Sequence, residues 1–269
     1  MKVVYGHTDS IYCTVDSVEH AQEVCEKINT EVQKLFPNVF ELEEHPVQLE
    51  FEKYYQSLGV GCTKNRNAGY ISWKDGEYLD EPEFIVTGFS MKRISESKIA
   101  KEFQKNLLQM WASVAPYDEV MSYCKTTFNN VKKGKVPLTD IIKRGRVRQA
   151  LSSYKSVSSG IAGVCYYNQH INADDPITDS FLYMECKHIE GPQWFMLPDG
   201  SKDRIAKFIS VKEMKEFEGL CVPDWGAYAY KSVVKKAIPI FNAMGWNIKD
   251  FMIDDNQRSL SDWLGSEEE

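Results

Sequence analysis

The hydrophobic period of this chain shifts from strand to helical spacing after about residue 90, and that shift limits what it can fold into. Before it, apolar residues fall in short β runs. Val3-Val4-Tyr5 and Ile11-Tyr12-Cys13-Thr14-Val15 flank a polar Gly6-His7-Thr8-Asp9-Ser10, the pattern of a tight hairpin. Val18, Ala21, Val24, Cys25, Ile28, Val32 and Leu35 recur at helical spacing, with Asp16 or Ser17 as cap and Pro37-Asn38 as stop. Val47, Leu49 and Phe51 alternate with Gln48, Glu50 and Glu52, which predicts a strand. Asp75-Gly76 predicts a hairpin turn between Tyr70–Trp73 and Glu83–Val86.

From Ser95 the spacing becomes helical. Ile99, Phe103, Leu107 and Met110 mark a helix, and helical patterns continue to about residue 170. A small β insertion (Phe181–Lys187, Trp194–Leu197) precedes a last helix over about 225–244. The fold class expected is α+β. No apolar run reaches the roughly 18 residues of a membrane helix. The seven cysteines are spread singly, the pattern of reduced thiols in an intracellular protein and not of a zinc site.

Charge is where a whole-chain average misleads. The net charge of −7 argues against a simple nucleic-acid coat. Yet Lys132, Lys133, Lys135, Lys143, Arg144, Arg146, Arg148 and Lys155 stand against Asp140 alone, a local net of +7 that leaves −14 for the rest. Such a concentration suits phosphate-backbone contact; a solvated basic face is the alternative. Residues 16–53 carry ten acids and three bases, a surface that faces away from DNA or toward a partner.

Asp9 at a hairpin tip is rigidly held, and a carboxylate there can bind Mg²⁺; a solvated turn is the plainer alternative. The stretch Tyr5-Gly6-His7-Thr8-Asp9-Ser10 resembles the Y-G-D-T-D-S motif of family B DNA polymerases, with His7 in place of the first Asp. The resemblance makes Asp9 a catalytic metal ligand, with His7 and Thr8 beside it in the motif. Gln48-Leu49-Glu50-Phe51-Glu52-Lys53-Tyr54-Tyr55 resembles the family's palm strand, which makes Glu50 or Glu52 an accessory carboxylate. Lys64-Asn65-Arg66-Asn67-Ala68-Gly69 stands where the family has K-K-R-Y-A-G, the grip on the primer–template minor groove. Thr87–Arg93 resembles the segment entering the thumb, with Arg93 as a further DNA contact. Lys143, Arg144, Arg146, Arg148, Tyr154 and Lys155 fall on the duplex-holding thumb. Gln257, Leu260, Trp263 and Leu264 follow the Q-x-x-L-x-x-W-L spacing of a sliding-clamp peptide.

The resemblance implies the C-terminal half of a polymerase palm over 1–66, a mainly helical thumb with a small β insertion over 67–252, and a clamp-binding tail over 253–269. The family's other metal-binding Asp motif and its nucleotide-binding fingers helix do not occur in this sequence. The implied protein is therefore the small subunit of a split archaeal or viral polymerase. Its large subunit supplies exonuclease, fingers and the other palm half, and the two chains share a two-Mg²⁺ site on primer–template DNA. A cytoplasmic, nucleoid-associated location is expected, with no membrane contact. Two alternatives stay open: a non-catalytic DNA- and clamp-binding accessory with a decayed motif at His7, and a segment of a one-chain polymerase.

Overall fold

The computed structural model describes residues 1–7, 9–198, 200 and 203–252. The chain divides into two compact units, residues 1–89 with 108–115, and the remainder.

In the first unit β1 (Lys2–His7) and β2 (Ser10–Thr14) form an antiparallel ribbon. Helix α1 (Val18–Leu35) follows, capped by the Ser17 hydroxyl, which accepts the His20 backbone N–H at 3.1 Å. A meander of β3 (Lys53–Val60), β4 (Asn67–Lys74) and β5 (Glu77–Thr87) completes the unit, with β4 central. Ala68, Ile71 and Trp73 of β4 are buried, and the Phe51 ring stacks on Trp73 at 4.4 Å. The turn between β4 and β5 is Asp75-Gly76, both with positive φ, as a two-residue hairpin turn requires.

The strand expected over 47–51 does not form. Residues 48–52 run without a ladder, and β3 begins at Lys53. The cause lies on α1. The Asn29 amide donates to the Leu49 carbonyl (2.9 Å) and accepts the Leu49 N–H (2.7 Å), taking the two bonds that a neighbouring strand would take.

In the second unit α2 (Lys98–Ala112, its last residues counted with the first unit) is followed by α3 (Tyr117–Lys132) and the short α4 (Leu138–Ile141). The helical run then breaks, contrary to the periodicity, at β6 (Lys143–Arg146). This strand pairs with β7 (Ser180–Ile189), where the Phe181 ring lies so close to Gly145 that a Cβ there would sit 2.4 Å from it. Glycine lets the basic segment lie flat on β7.

Helix α5 (Ser159–His170) is buried over Gly160–Tyr167, the mark of a helix enclosed on all sides. The sheet is larger than the two runs legible in the sequence. Besides β8 (Trp194–Met196) and β9 (Asp203–Ile205), which pair with each other, β10 (Phe208–Val211) and β11 (Cys221–Pro223) both pair with β7. The helix expected over 225–244 forms as α6 (Trp225–Ala229), a π-turn (Tyr230–Val234) and α7 (Lys235–Met244). Among the described residues no helix is long and apolar enough to cross a membrane.

All seven cysteines are free. Burial pushes the Cys124 thiol of α3 up to about 12 and the Cys165 thiol of α5 up to about 11. A thiol with a raised folded pKa stays protonated after the unfolded chain has ionised, so stability falls as pH rises above the unfolded value near 9. Each thiol removes on the order of 1 kcal/mol by pH 10. Denaturant unfolding at pH 8 and pH 10 measures this. The C124A/C165A variant is expected to lose less stability between the two pH values than wild type, whatever its stability at pH 8.

Candidate metal-binding hairpin and nucleic-acid interface

The β1–β2 register pairs Tyr5 with Tyr12, Gly6 with Ile11 and His7 with Ser10, which leaves Asp9 exposed in the turn. Thr8 lies outside the described residues, as do Gln257, Leu260, Trp263 and Leu264. The ribbon is braced by aromatic contacts, Tyr5 to Tyr12 at 5.3 Å and Tyr12 to Tyr55 of β3 at 6.1 Å. Burial raises the Tyr55 phenol to about 12, and the charges of Tyr12, Glu52 and Glu83 add to it. Burial also raises Tyr12, with Tyr5 and Glu52 contributing. Glu52 therefore bears on the ribbon electrostatically, while Glu50 is exposed on the same extended segment.

The ribbon is also tied to the basic loop between β3 and β4. The Tyr5 hydroxyl donates to Asn65 Oδ1 (2.9 Å) and accepts the Asn65 backbone N–H (3.0 Å). Asn65 has φ +60, a left-handed conformation that asparagine tolerates better than lysine. Its presence in place of a basic residue thus has a structural reason. The Gly61 N–H donates to the Arg66 carbonyl at 2.7 Å and closes the loop. Lys64 is exposed and Arg66 half-buried. Tyr5→Phe removes both bonds to Asn65 and is expected to cost about 1 kcal/mol, read as a shift in denaturant midpoint at constant m.

The second unit holds the other basic residues, and they differ in exposure and in their partners. Lys143 is half-buried, with Nζ 3.9 Å from Glu96 Oε2, and Glu96 also takes Lys236 Nζ at 2.6 Å. Desolvation lowers the Lys143 pKa against the attraction of Glu96, and Lys236 and Lys231 lower it further. Strand alternation places Arg144 and Arg146 on the opposite, exposed face of β6. Arg146 Nε donates to Asp179 at 2.6 Å. The Arg148 N–H donates to the Tyr154 hydroxyl at 2.9 Å. Arg93, Arg148 and Lys155 are exposed.

Tyr154, Lys155, Ser156 and Val157 line a cleft of about 220 Å³ with Leu197, Pro198 and Arg204. Arg204 is missing from the residues singled out in the sequence. It stands alone on β9, and only the fold brings it beside Lys155.

A family model described as DNA polymerase family B matches residues 1–236. The chain belongs to this family. Among curated relatives, the DNA polymerase of Archaeoglobus fulgidus is 26% identical over 160 residues, covering 60% of this chain and 18% of the relative. DNA polymerase 1 of Pyrococcus abyssi is 28% identical over 162 residues, covering 60% and 19%. The DNA polymerase zeta catalytic subunit of Arabidopsis thaliana is 26% identical over 162 residues, covering 60% and 8%. The solved family B DNA polymerase from the hyperthermophilic archaeon Pyrobaculum calidifontis shares the fold with a TM-score of 0.57 at 17% identity. That match covers 89% of this chain and 26% of the other. The chain spans less than a fifth of the length of the curated relatives it matches.

Asp9 could serve a divalent metal as one hard oxygen donor, exposed in the hairpin turn. Among the described residues no three His, Cys, Asp or Glu side chains converge on a common point.

Proposed function

We propose that this chain is the C-terminal palm half and thumb of a family B DNA polymerase, acting as the small subunit of a split enzyme. Its boundaries follow the sequence reading: palm over 1–66, thumb over 67–252, and a clamp-binding tail over 253–269. The observation that carries the proposal is the double hydrogen bond of Tyr5 to Asn65, which fixes the Asp9 hairpin to the Lys64–Arg66 loop. A metal ligand and a minor-groove grip held in one piece are what primer extension needs, because a small misplacement of the reacting atoms costs rate steeply.

A bound pair of Mg²⁺ ions would stabilise the attacking 3′ oxygen and the departing pyrophosphate. In this reading Asp9 holds one face of that site and Glu52 or Glu50 adds negative charge beside it. Lys64 and Arg66 hold the primer–template, and Asn65 positions them through Tyr5. In the second unit Arg93, Arg144, Arg148 and Lys155 contact the phosphate backbone, with Arg204 closing the cleft beside Lys155. Lys143 acts from within its ion pair with Glu96, and Arg146 engages DNA by exchanging Asp179 for a phosphate.

Support for a larger partner chain, bringing the other palm half, fingers and exonuclease, comes from the ribbon. Val3, Val4 and Ile11 are 56%, 45% and 49% exposed, apolar surface that an extended palm sheet would cover. The Q-x-x-L-x-x-W-L segment is proposed to tether the enzyme to a sliding clamp and raise its effective concentration at the primer end.

The test is primer extension by this chain alone, by a chain carrying the remaining family B segments alone, and by both together. Extension only in the mixture supports the reading. Extension by either chain alone, or none in the mixture, overturns it.

A further inference from the structure

The loop after α1 is built to display apolar side chains. Leu35, Phe36, Val39, Phe40 and Leu42 are 75%, 57%, 72%, 80% and 52% exposed within eight consecutive positions. Contiguous exposure of this kind marks an interaction surface in a soluble chain. The loop is ordered by its own bonds. Asn38 Nδ2 donates to the Leu42 carbonyl (2.7 Å), the Leu42 N–H donates to Asn38 Oδ1 (3.1 Å), and the Glu41 N–H donates to the Asn38 carbonyl (3.2 Å). Glu41 adopts φ +51, Pro37 lies within the segment and Pro46 follows it. Polar backbone groups turn inward on Asn38, and the phenyl rings are left in solvent.

Charge selects the occupant. Glu41, Glu43 and Glu44 are exposed among these apolar residues, and no Lys or Arg occurs from 35 to 52. DNA and anionic membranes are repelled by such a rim, and a second copy would bring the same three carboxylates against it. We propose that the 35–44 segment docks an amphipathic protein segment whose apolar face is flanked by Lys or Arg. Phe36 and Phe40 are the anchors, and the three glutamates supply register and encounter rate. This surface is independent of the polymerase reading, since neither Asp9 nor the basic residues take part.

The test is fluorescence anisotropy of the intact chain with a labelled amphipathic Leu/Lys helix of about 18 residues. A peptide of the same composition in scrambled order and a Leu/Glu helix are the comparisons. The amphipathic Leu/Lys helix is expected to bind, to weaken with salt, and to lose about tenfold or more with F36S/F40S. The E41Q/E43Q/E44Q variant is expected to weaken it several-fold while leaving the apolar surface intact, so the proposal stays testable if F36S/F40S lowers stability. Equal binding by wild type and both variants, or by the scrambled peptide, overturns the proposal. So does a wild-type dimer in sedimentation that F36S/F40S returns to monomer, because a second copy would then be the occupant.

Discussion

Asp9→Asn is expected to reduce primer extension by the assembled polymerase on the order of 10³-fold, the scale of loss when a group facing transition-state charge is neutralised. Asparagine keeps the size and turn preference of aspartate but removes the charge that a hard divalent cation requires. Because Asp9 is exposed in the hairpin turn, stability is expected to change by no more than about 0.5 kcal/mol. Duplex affinity without metal is expected to stay within about twofold, since the proposed phosphate contacts rest on basic side chains elsewhere. The discriminating signature is a fall in kcat with unchanged DNA binding and unchanged unfolding. Extension at the wild-type rate by the Asn variant would remove the catalytic role and leave a DNA- and clamp-binding accessory as the reading of this chain. Glu52→Gln and Glu50→Gln are the graded comparison, and each is expected to reduce extension less than Asp9→Asn.

What the sequence disclosed here was local. The Ser17 cap, the Asp75-Gly76 turn and the Asp9 hairpin each depend on a few adjacent residues whose backbone preferences are strong. What stayed hidden depends on partners far along the chain. The alternation at 47–51 is real, yet Asn29 on α1 satisfies Leu49 and no ladder forms. The basic segment around Lys143 has no strong strand signal, and it becomes β6 because β7 offers an edge and Gly145 fits under Phe181. The basic residues looked like one patch in composition. Strand alternation and the Glu96 and Asp179 ion pairs separate them into half-buried, paired and exposed groups. The Tyr5–Asn65 link joins residues 60 positions apart, and nothing in either motif announces the other.

The same link sets the second large effect, at Gly88. This residue follows β5, has φ +75, and lies against the loop that Tyr5 holds. A Cβ built on it falls 1.7 Å from the Asn65 carbonyl oxygen and 2.8 Å from the carbonyl carbon. That obstacle is backbone, so no side-chain rotation relieves it. Gly88→Ala must displace either the 64–66 loop or the end of β5, where Thr87 pairs with Asn67 and Phe89 is buried. The expected cost is about 3 kcal/mol, combining left-handed strain with lost packing. For a chain of this size that corresponds to a fall in Tm of about 6–10 °C. Gly76→Ala is the control. Its φ is +99 but nothing lies within 4 Å of its Cβ position, so it is expected to lose only about 1 kcal/mol from backbone strain. Equal losses at the two sites would mean that the Gly88–Asn65 approach is not tight in solution. The larger loss at Gly88, accompanied by weaker primer–template binding, would mean that one backbone contact holds the basic loop in position against the hairpin that carries Asp9.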